Sequence, residues 1–172
     1  ILATLKKGDY VIMQFGHNDA GPLDDTARAR GTIKGIGEEF KEIYNPITKK
    51  QELVYTYGWY MRKYSKDIKS RGAFAIVCSP IPRNDWKDDK VIRASESYTR
   101  WAREVAEQEG AYFINLDELV AEKYEEMGAD SVKPFFPVDH THTNIDGAKL
   151  NAAIVIKALK ELKPGKLKKY LL

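Results

Sequence analysis

The chain has 172 residues, a formal net charge of +3, an apolar fraction of 43% and one cysteine. This length favours a single domain with a packed core. The mild charge argues against a nucleic-acid partner, and no apolar run approaches the roughly 18 residues of a membrane span. One cysteine excludes an intramolecular disulfide framework and a cysteine-based zinc site. We therefore expect neither nucleic acid nor membrane as a partner, and composition leaves extracellular and cytoplasmic locations equally open.

The first eight residues predict the end of a helix. Ile1, Leu2 and Leu5 have helical spacing, and Gly8 stands where a glycine commonly ends a helix. Because the chain starts with isoleucine inside this pattern, we expect the parent protein to have further residues upstream.

Apolar periodicity predicts strands that alternate with helices along the rest of the chain. The predicted elements are a buried strand at 9–15, a long loop at 19–37, a hairpin at 39–44 and 51–56, a helix at 57–71, a strand at 73–79, a helix at 91–109, a strand at 111–116, a helix capped by Asp117 and ending near 127, an irregular stretch at 128–144, and a helix at 145–162 followed by Pro164-Gly165. This order predicts an α/β fold with a mostly parallel sheet. Three core strands are few for such a sheet, so we expect one or two N-terminal strands to be missing.

All three histidines lie in two short polar segments. Gly16-His17-Asn18-Asp19 follows the first predicted strand, and Asp139-His140-Thr141-His142 precedes the last helix. A carboxylate can hold one imidazole nitrogen and leave the other as a general base. Asp139 is the candidate carboxylate, and His142 is the candidate base. The amide of Asn18 can donate to a developing oxyanion. Ordinary turn chemistry explains both segments equally well, but if they are catalytic we expect Asn18 and His142 in one cleft at the carboxyl edge of the sheet.

A zinc site is a competing hypothesis for the same segments. His140 and His142 are two residues apart, and Asp139 and His17 could complete a ligand set. No local sequence matches the usual zinc signatures, so we predict no bound metal.

No serine of the chain is a good nucleophile. Ser79 is the best placed, because it follows a predicted strand. An activated serine usually draws an oxyanion N–H from the next residue, and here that residue is Pro80, which has none.

A substrate contact is predicted in the loop after the second core strand. Arg83, Lys87 and Arg93 surround Trp86 in the sequence. Arginine can bind a carboxylate with two hydrogen bonds, and tryptophan can stack on a sugar ring, so Arg83 and Trp86 are the candidates. The alternative is a solvated loop whose charges pair with the nearby acids Asp85, Asp88 and Asp89.

The two histidine segments resemble conserved blocks of a known family. Phe15-Gly16-His17-Asn18-Asp19 and Asp139-His140-Thr141-His142 are similar to the third and fifth blocks of SGNH hydrolases, and most similar to the rhamnogalacturonan acetylesterase branch. Three further stretches resemble that branch, namely Tyr44-Asn45-Pro46-Ile47-Thr48, Tyr57-Gly58-Trp59-Tyr60 and Ser79-Pro80-Ile81-Pro82-Arg83-Asn84-x-Trp86. The resemblance implies a flavodoxin-like three-layer α/β/α fold, with residues 1–172 as the C-terminal part of one SGNH hydrolase domain.

The resemblance also implies a serine-esterase mechanism without cofactor or metal. By this resemblance Asn18 donates to the oxyanion, Gly16 belongs to the same block, and Asp139 orients the base His142. The family's nucleophile lies in a Gly-Asp-Ser block on the first strand, and Gly8-Asp9-Tyr10 has tyrosine in place of that serine. We therefore expect an esterase that removes acetyl groups from rhamnogalacturonan, an acidic pectin-type polysaccharide, using a serine from a missing N-terminal segment of the same domain. This chain alone is expected to be inactive.

Two other functions fit the sequence less well. One is a non-catalytic carbohydrate-binding domain that has lost its nucleophile, and the other is a metal-dependent hydrolase that uses the histidines. A Gly-Asp-Ser block upstream would favour the esterase, and zinc content would test the metal hypothesis.

Overall fold

A three-stranded parallel sheet forms the centre of the protein. The computed structural model describes residues 1–29, 31–162 and 167–171, so the predicted Pro164-Gly165 break lies outside the described residues. The strands β1 (Tyr10–Gln14), β4 (Phe74–Cys78) and β7 (Tyr112–Ile114) are adjacent in the order β1-β4-β7. Both pairings are parallel, as the alternation of strands and helices predicted.

Helices cover both faces of this sheet. The central strand β4 alternates its side chains, because successive residues of a strand point to opposite faces. Ala75 and Val77 pack with α1 (Tyr57–Ser70) and α2 (Tyr98–Glu109). Ile76 and Cys78 pack on the opposite side with α5 (Ile145–Glu161). The result is the three-layer α/β/α arrangement expected for a flavodoxin-like fold.

The first strand lies at an edge of the sheet. β1 was predicted to be buried, but Ile12 is 47% and Phe15 48% exposed. Among the described residues β1 pairs with β4 alone, which leaves its other side open. The helix predicted before it is a single turn closed by the hydrogen bond from Thr4 N–H to the carbonyl of Ile1.

Two antiparallel hairpins project from the sheet. The first, β2 (Phe40–Asn45) and β3 (Lys50–Tyr55), was predicted. The second, β5 (Trp86–Lys87) and β6 (Lys90–Val91), was not. Its two turn residues, Asp88 and Asp89, have φ values of 50° and 58°, which is the conformation of a tight two-residue hairpin turn.

The prediction of a helix over 91–109 was wrong at its start, because α2 begins only at Tyr98. Acidic side chains of α3 (Leu116–Met127) occupy the backbone donors before it. The N–H of Val91 donates to Glu125 at 3.0 Å, and that of Ala94 to Asp117 at 2.9 Å. These donors are held by side chains and do not start a helix.

Asp117 is not the helix cap that the sequence suggested. Asn115 caps α3 by accepting from the N–H of Glu118, while Asp117 is buried and accepts from Ala94 and from the hydroxyl of Thr99. The stretch predicted to be irregular contains the short helix α4 (Ala129–Val132) and a 3₁₀ turn at Lys133–Phe135.

A third apolar cluster joins α3 to the last helix. Its centre is the fully buried ring of Tyr124, whose hydroxyl donates to the side-chain oxygen of Asn151 on α5 at 3.1 Å. The ring of Phe136 meets that of Tyr124 edge to face at 6.0 Å between centroids. This cluster supports the start of the loop that carries Asp139 and His142.

We expect Tyr124→Phe to lower the free energy of unfolding by about 1–3 kcal/mol, because a buried amide oxygen of Asn151 loses its donor. Urea unfolding followed by circular dichroism measures the change. Tyr44→Phe is the matched control, since Tyr44 is 56% exposed, and it should leave the value unchanged. Equal stabilities of the two variants would contradict this account of the Tyr124 hydroxyl.

Candidate active site

Asp139 and His142 form a hydrogen-bonded pair within one tight turn. The imidazole Nδ1 of His142 lies 2.7 Å from Oδ2 of Asp139. The other carboxylate oxygen accepts the backbone N–H groups of Thr141 at 2.7 Å and His142 at 2.8 Å. The pKa of Asp139 lies far below its usual range. The largest cause is the hydrogen bond from the backbone N–H of His142, and the next is the hydrogen bond from its ring. Asp139 is therefore a carboxylate across the neutral range, and the exposed His142 ring keeps Nε2 for another partner.

The ends of this loop are fixed by the helix that follows it. Asn144 caps α5 with its side-chain oxygen, which accepts from the N–H groups of Asp146 and Gly147. Its own N–H donates to the carbonyl of Phe135 at 2.7 Å, and its side-chain amide donates to Pro134 at 2.9 Å. The two ends of the loop of residues 136–143 therefore lie close together.

The segment after β1 makes a sharp turn at Gly16. Gly16 has a φ of 128°, and a Cβ atom there would lie 2.9 Å from Cγ of Pro80 and 3.1 Å from the ring of Tyr98. Before the turn, the hydroxyl of Tyr57 donates to the carbonyl of Phe15 at 3.4 Å. Only glycine lets the chain pass this close to the end of β4 while it turns toward Asn18.

Asn18 and His17 line two separate depressions at this edge of the sheet. Asn18 is exposed and lines a depression of about 400 Å³ with side chains of α1 and β3. Asp19, which follows it, accepts the N–H and the hydroxyl of Thr32 at 2.9 and 3.2 Å. His17 lines a cavity of about 250 Å³ together with Gly16 and Arg83.

The two histidine segments lie near each other at the carboxyl edge. Burial lowers the pKa of His17, and the charges of Arg83 and then His142 lower it further, so both groups lie within electrostatic reach of its ring. The guanidinium of Arg83 also donates to the carbonyl of His17 at 3.4 Å. The ends of β1 and β4 and the loop of residues 139–142 thus converge.

His140 binds a second carboxylate. Its Nδ1 lies 2.7 Å from Oδ1 of Asp85, and its carbonyl accepts the N–H of Asn84 at 2.8 Å. The rings of His140 and His142 are therefore held by different carboxylates. Across the described residues, no group of three or more histidine, cysteine, aspartate or glutamate side chains is arranged to hold a metal ion.

Sequence reasoning missed the role of Asp85, which it considered only as a possible partner of neighbouring cations. Asp85 and His140 are 55 residues apart, and no sequence spacing connects them. The pairing arises because the hairpin β5–β6 and the loop before α5 meet at the same edge of the sheet.

Ser79 is part of the core. The residue has no exposed surface, and its Oγ accepts the N–H of Asp117 at 2.9 Å and donates to the side chain of Asn115 at 3.3 Å. Both bonds fix the start of α3 beneath the sheet edge. The position agrees with the argument from Pro80 against Ser79 as a nucleophile.

Arg93 is bound to two carboxylates of α3 within the fold. Its guanidinium donates to Glu118 at 3.0 Å and to Glu125 at 2.6 Å, and these carboxylates raise its pKa. The hydrogen bond from Arg93, together with those from Lys90 and the backbone N–H of Val91, lowers the pKa of Glu125 to about 2. The expected alternative partners, Asp85, Asp88 and Asp89, are therefore not those that bind Arg93.

Arg83 and Trp86 differ in accessibility. Arg83 is exposed at the cavity beside His17, as a substrate contact requires. Trp86 is half-buried against the Tyr124 cluster, and its indole N–H donates to the side-chain oxygen of Asn84 at 2.7 Å. Only part of the Trp86 ring remains for stacking on a sugar. The geometry therefore favours Arg83 over Trp86 as a substrate contact.

Residues 2–150 match the GDSL-like lipase/acylhydrolase family. The chain belongs to this family. It is 32% identical over 160 residues to a rhamnogalacturonan acetylesterase of Emericella nidulans, covering 92% of this chain and 64% of that protein. It is 25% identical to the probable rhamnogalacturonan acetylesterase YesY of Bacillus subtilis, covering 94% of this chain and 67% of that one. The chain thus spans about two thirds of the length of these GDSL-family relatives.

A solved structure has a similar fold. The crystal structure of the Bacillus subtilis protein YxiM superposes with a TM-score of 0.67 at 22% identity, covering 92% of this chain and 38% of that one. This similarity supports the α/β fold of the sheet and its helices. None of the described helices combines the length and the apolar character that a membrane-spanning segment needs.

We expect Gly16→Ala to lower the free energy of unfolding by about 1–3 kcal/mol more than Gly8→Ala, because the added methyl would overlap Pro80 and Tyr98. Gly8 is the matched control, since it also has a positive φ of 91° but has nothing within 4 Å of its would-be Cβ. Thermal and urea unfolding measure the difference. Equal losses in the two variants would show that close packing at Gly16 is not the constraint.

Proposed function

We propose that the protein is a carbohydrate esterase that removes acetyl groups from a pectin-type polysaccharide, rhamnogalacturonan. The observation that carries the proposal is the 2.7 Å hydrogen bond between Asp139 and His142, at the sheet edge reached by the Gly16–Asn18 loop. Membership of the GDSL-like family and similarity to two proteins named as rhamnogalacturonan acetylesterases support the reaction and the substrate.

The proposed reaction is acyl transfer through a serine. Asp139 holds Nδ1 of His142, so Nε2 takes the serine proton while Oγ attacks the acetyl carbonyl. The carbonyl oxygen becomes an oxyanion, which the side-chain amide of Asn18 and backbone N–H groups stabilise, and Gly16 lets the backbone approach it. His142 then protonates the departing sugar oxygen. Water attacks the acetyl-serine with His142 again as base, which releases acetate and restores the serine.

We propose that the serine belongs to an upstream segment of the same domain. About a third of the length of each of the two acetylesterases lies outside the part that this chain covers. An apolar depression of about 960 Å³ runs along the open side of β1, between residues 1–3 and α1. A further parallel strand paired with β1 would cover the exposed Ile12 and Phe15. On this proposal residues 1–172 are the C-terminal part of one domain and are inactive alone.

Arg83 is the proposed contact for an acidic sugar. Its guanidinium lies beside the loop of His17, where it can grip a galacturonate carboxylate with two hydrogen bonds. Trp86 stands three residues further on, and the exposed part of its ring is proposed to contact a neighbouring sugar.

In the full-length protein, Asp139→Asn should lower kcat on an acetyl ester by about 10⁴-fold, because the amide favours the wrong imidazole tautomer. His142→Ala should be at least as damaging. Asp130→Asn, an exposed change on α4, is the matched control and should leave kcat unchanged. Retention of kcat in the Asp139 or His142 variant would refute the assignment. A wild-type protein that binds acetylated rhamnogalacturonan without hydrolysing it would favour the non-catalytic alternative.

For the substrate contact, Arg83→Ala should raise KM for acetylated rhamnogalacturonan more than KM for neutral acetylated xylan. It should also weaken the salt dependence of binding, because one charge contact is lost. Arg100→Ala on the outer surface of α2 is the matched control, since its contacts are surface pairs with Glu96 and Glu104. Equal changes in KM on both polymers would remove the case for Arg83 as a galacturonate contact.

A further inference from the structure

The loop that carries the proposed base is exposed along most of its length. Val138 is 86% exposed, and the side chain of His142 is 79% exposed. The hydrogen bonds of Asp139 run to Thr141 and His142, within the same turn. They fix the imidazole relative to its own carboxylate, but they do not fix the turn relative to the sheet edge.

His140 supplies the connection to the rest of the fold. Its ring bonds to Asp85 at 2.7 Å and its carbonyl to the N–H of Asn84 at 2.8 Å. Within the part of the chain that the structure describes, these are the hydrogen bonds that join residues 137–143 to another element. One residue between Asp139 and His142 thus carries both contacts.

Asp85, the partner of His140, belongs to a segment that hydrogen bonds hold in place. The carbonyl of Asp85 accepts the N–H of Ile92 at 2.8 Å, which closes the hairpin β5–β6. That hairpin is bound to α3, because Val91 and Arg93 both donate to Glu125. A continuous set of hydrogen bonds therefore runs from α3 through the hairpin to Asp85 and His140.

We propose that His140 and Asp85 are positioning residues, which hold the Asp139–His142 turn against the sheet edge so that Nε2 of His142 faces the nucleophile. The inference rests on the proposed esterase function. Misplacement of a catalytic group by about 1 Å can cost 10²-fold in rate. Loss of the pair leaves the backbone hydrogen bond from Asn84 to His140 as the remaining contact, so the turn moves more freely as a unit while the Asp139–His142 hydrogen bond itself persists. The defect is expected in kcat, because the pair acts on the reaction through the position of His142.

The test is a double-mutant cycle in the full-length protein with 4-nitrophenyl acetate. His140→Ala and Asp85→Ala should each lower kcat about 10–100-fold, with KM changed less than about threefold. The double variant should be no worse than the poorer single variant, because both remove one contact. His140→Asn, which places an amide donor near the position of Nδ1, should restore kcat to within about fivefold of wild type. Additive losses, or unchanged kcat in the single variants, would overturn the proposal.

A second measurement does not depend on activity. Backbone ¹⁵N order parameters of Thr141 and His142 should fall from about 0.85 to below about 0.6 in Asp85→Ala. Val138→Ala, which truncates an exposed side chain in the same loop, is the matched control and should leave both the order parameters and kcat unchanged. Order parameters that stay near 0.85 in Asp85→Ala would contradict the positioning role. A wild-type protein without esterase activity would refute the proposed function, while this readout would still report on the His140–Asp85 contact.

Discussion

The carboxylate of Asp139 is the group on which the proposed chemistry depends. It accepts three hydrogen bonds from two neighbouring residues, so it is held ionised and in one orientation although it is exposed to water. A charged carboxylate next to Nδ1 stabilises the imidazolium that forms when His142 accepts a proton. The turn is short enough to build this pair by itself. The turn does not by itself fix the position of this pair relative to the sheet edge, and the rest of the fold does so.

Acidic side chains of α3 provide much of this support. Asp117 is buried, and burial raises its pKa, yet it accepts hydrogen bonds from Ala94 and Thr99 that favour the ionised form. Glu125 binds Arg93, Lys90 and the backbone of Val91. A buried or half-buried acid that is fully hydrogen-bonded can fix loops that have no regular structure of their own. The hairpin β5–β6 is held in this way, and Asp85 is held with it.

The central features of the fold could be predicted because they depend on local patterns. The continuous apolar run of β4, the amphipathic stripe of α1 and the turn of the β2–β3 hairpin are visible in consecutive residues. The D-x-x-H turn is local in the same sense. Asp139 and His142 could therefore be chosen from the sequence, and the structure brings their side chains together.

The features that were missed depend on distant partners. The hairpin at residues 86–91 forms where the sequence suggested a loop, and the helix expected from residue 91 begins later, because the backbone N–H of Val91 finds Glu125, more than 30 residues away. Likewise His140 finds Asp85, and Arg93 finds acids of α3 where nearer acids had been expected. Periodicity cannot reveal such pairs, since they depend on which loops the sheet brings to one edge. The exposure of β1 could not be predicted for a similar reason, because it depends on what pairs with the open side of that strand.

We propose that this chain supplies the base and an oxyanion donor to a serine that lies outside it. The most direct test treats the full-length protein with a fluorophosphonate probe, which labels activated serines, and locates the adduct by mass spectrometry. We expect one adduct, on a serine of a Gly-Asp-Ser sequence upstream of residue 1, and we expect the adduct to be lost in His142→Ala. An adduct on Ser79 or another serine of this chain, or acetyl-ester hydrolysis without any adduct, would contradict it.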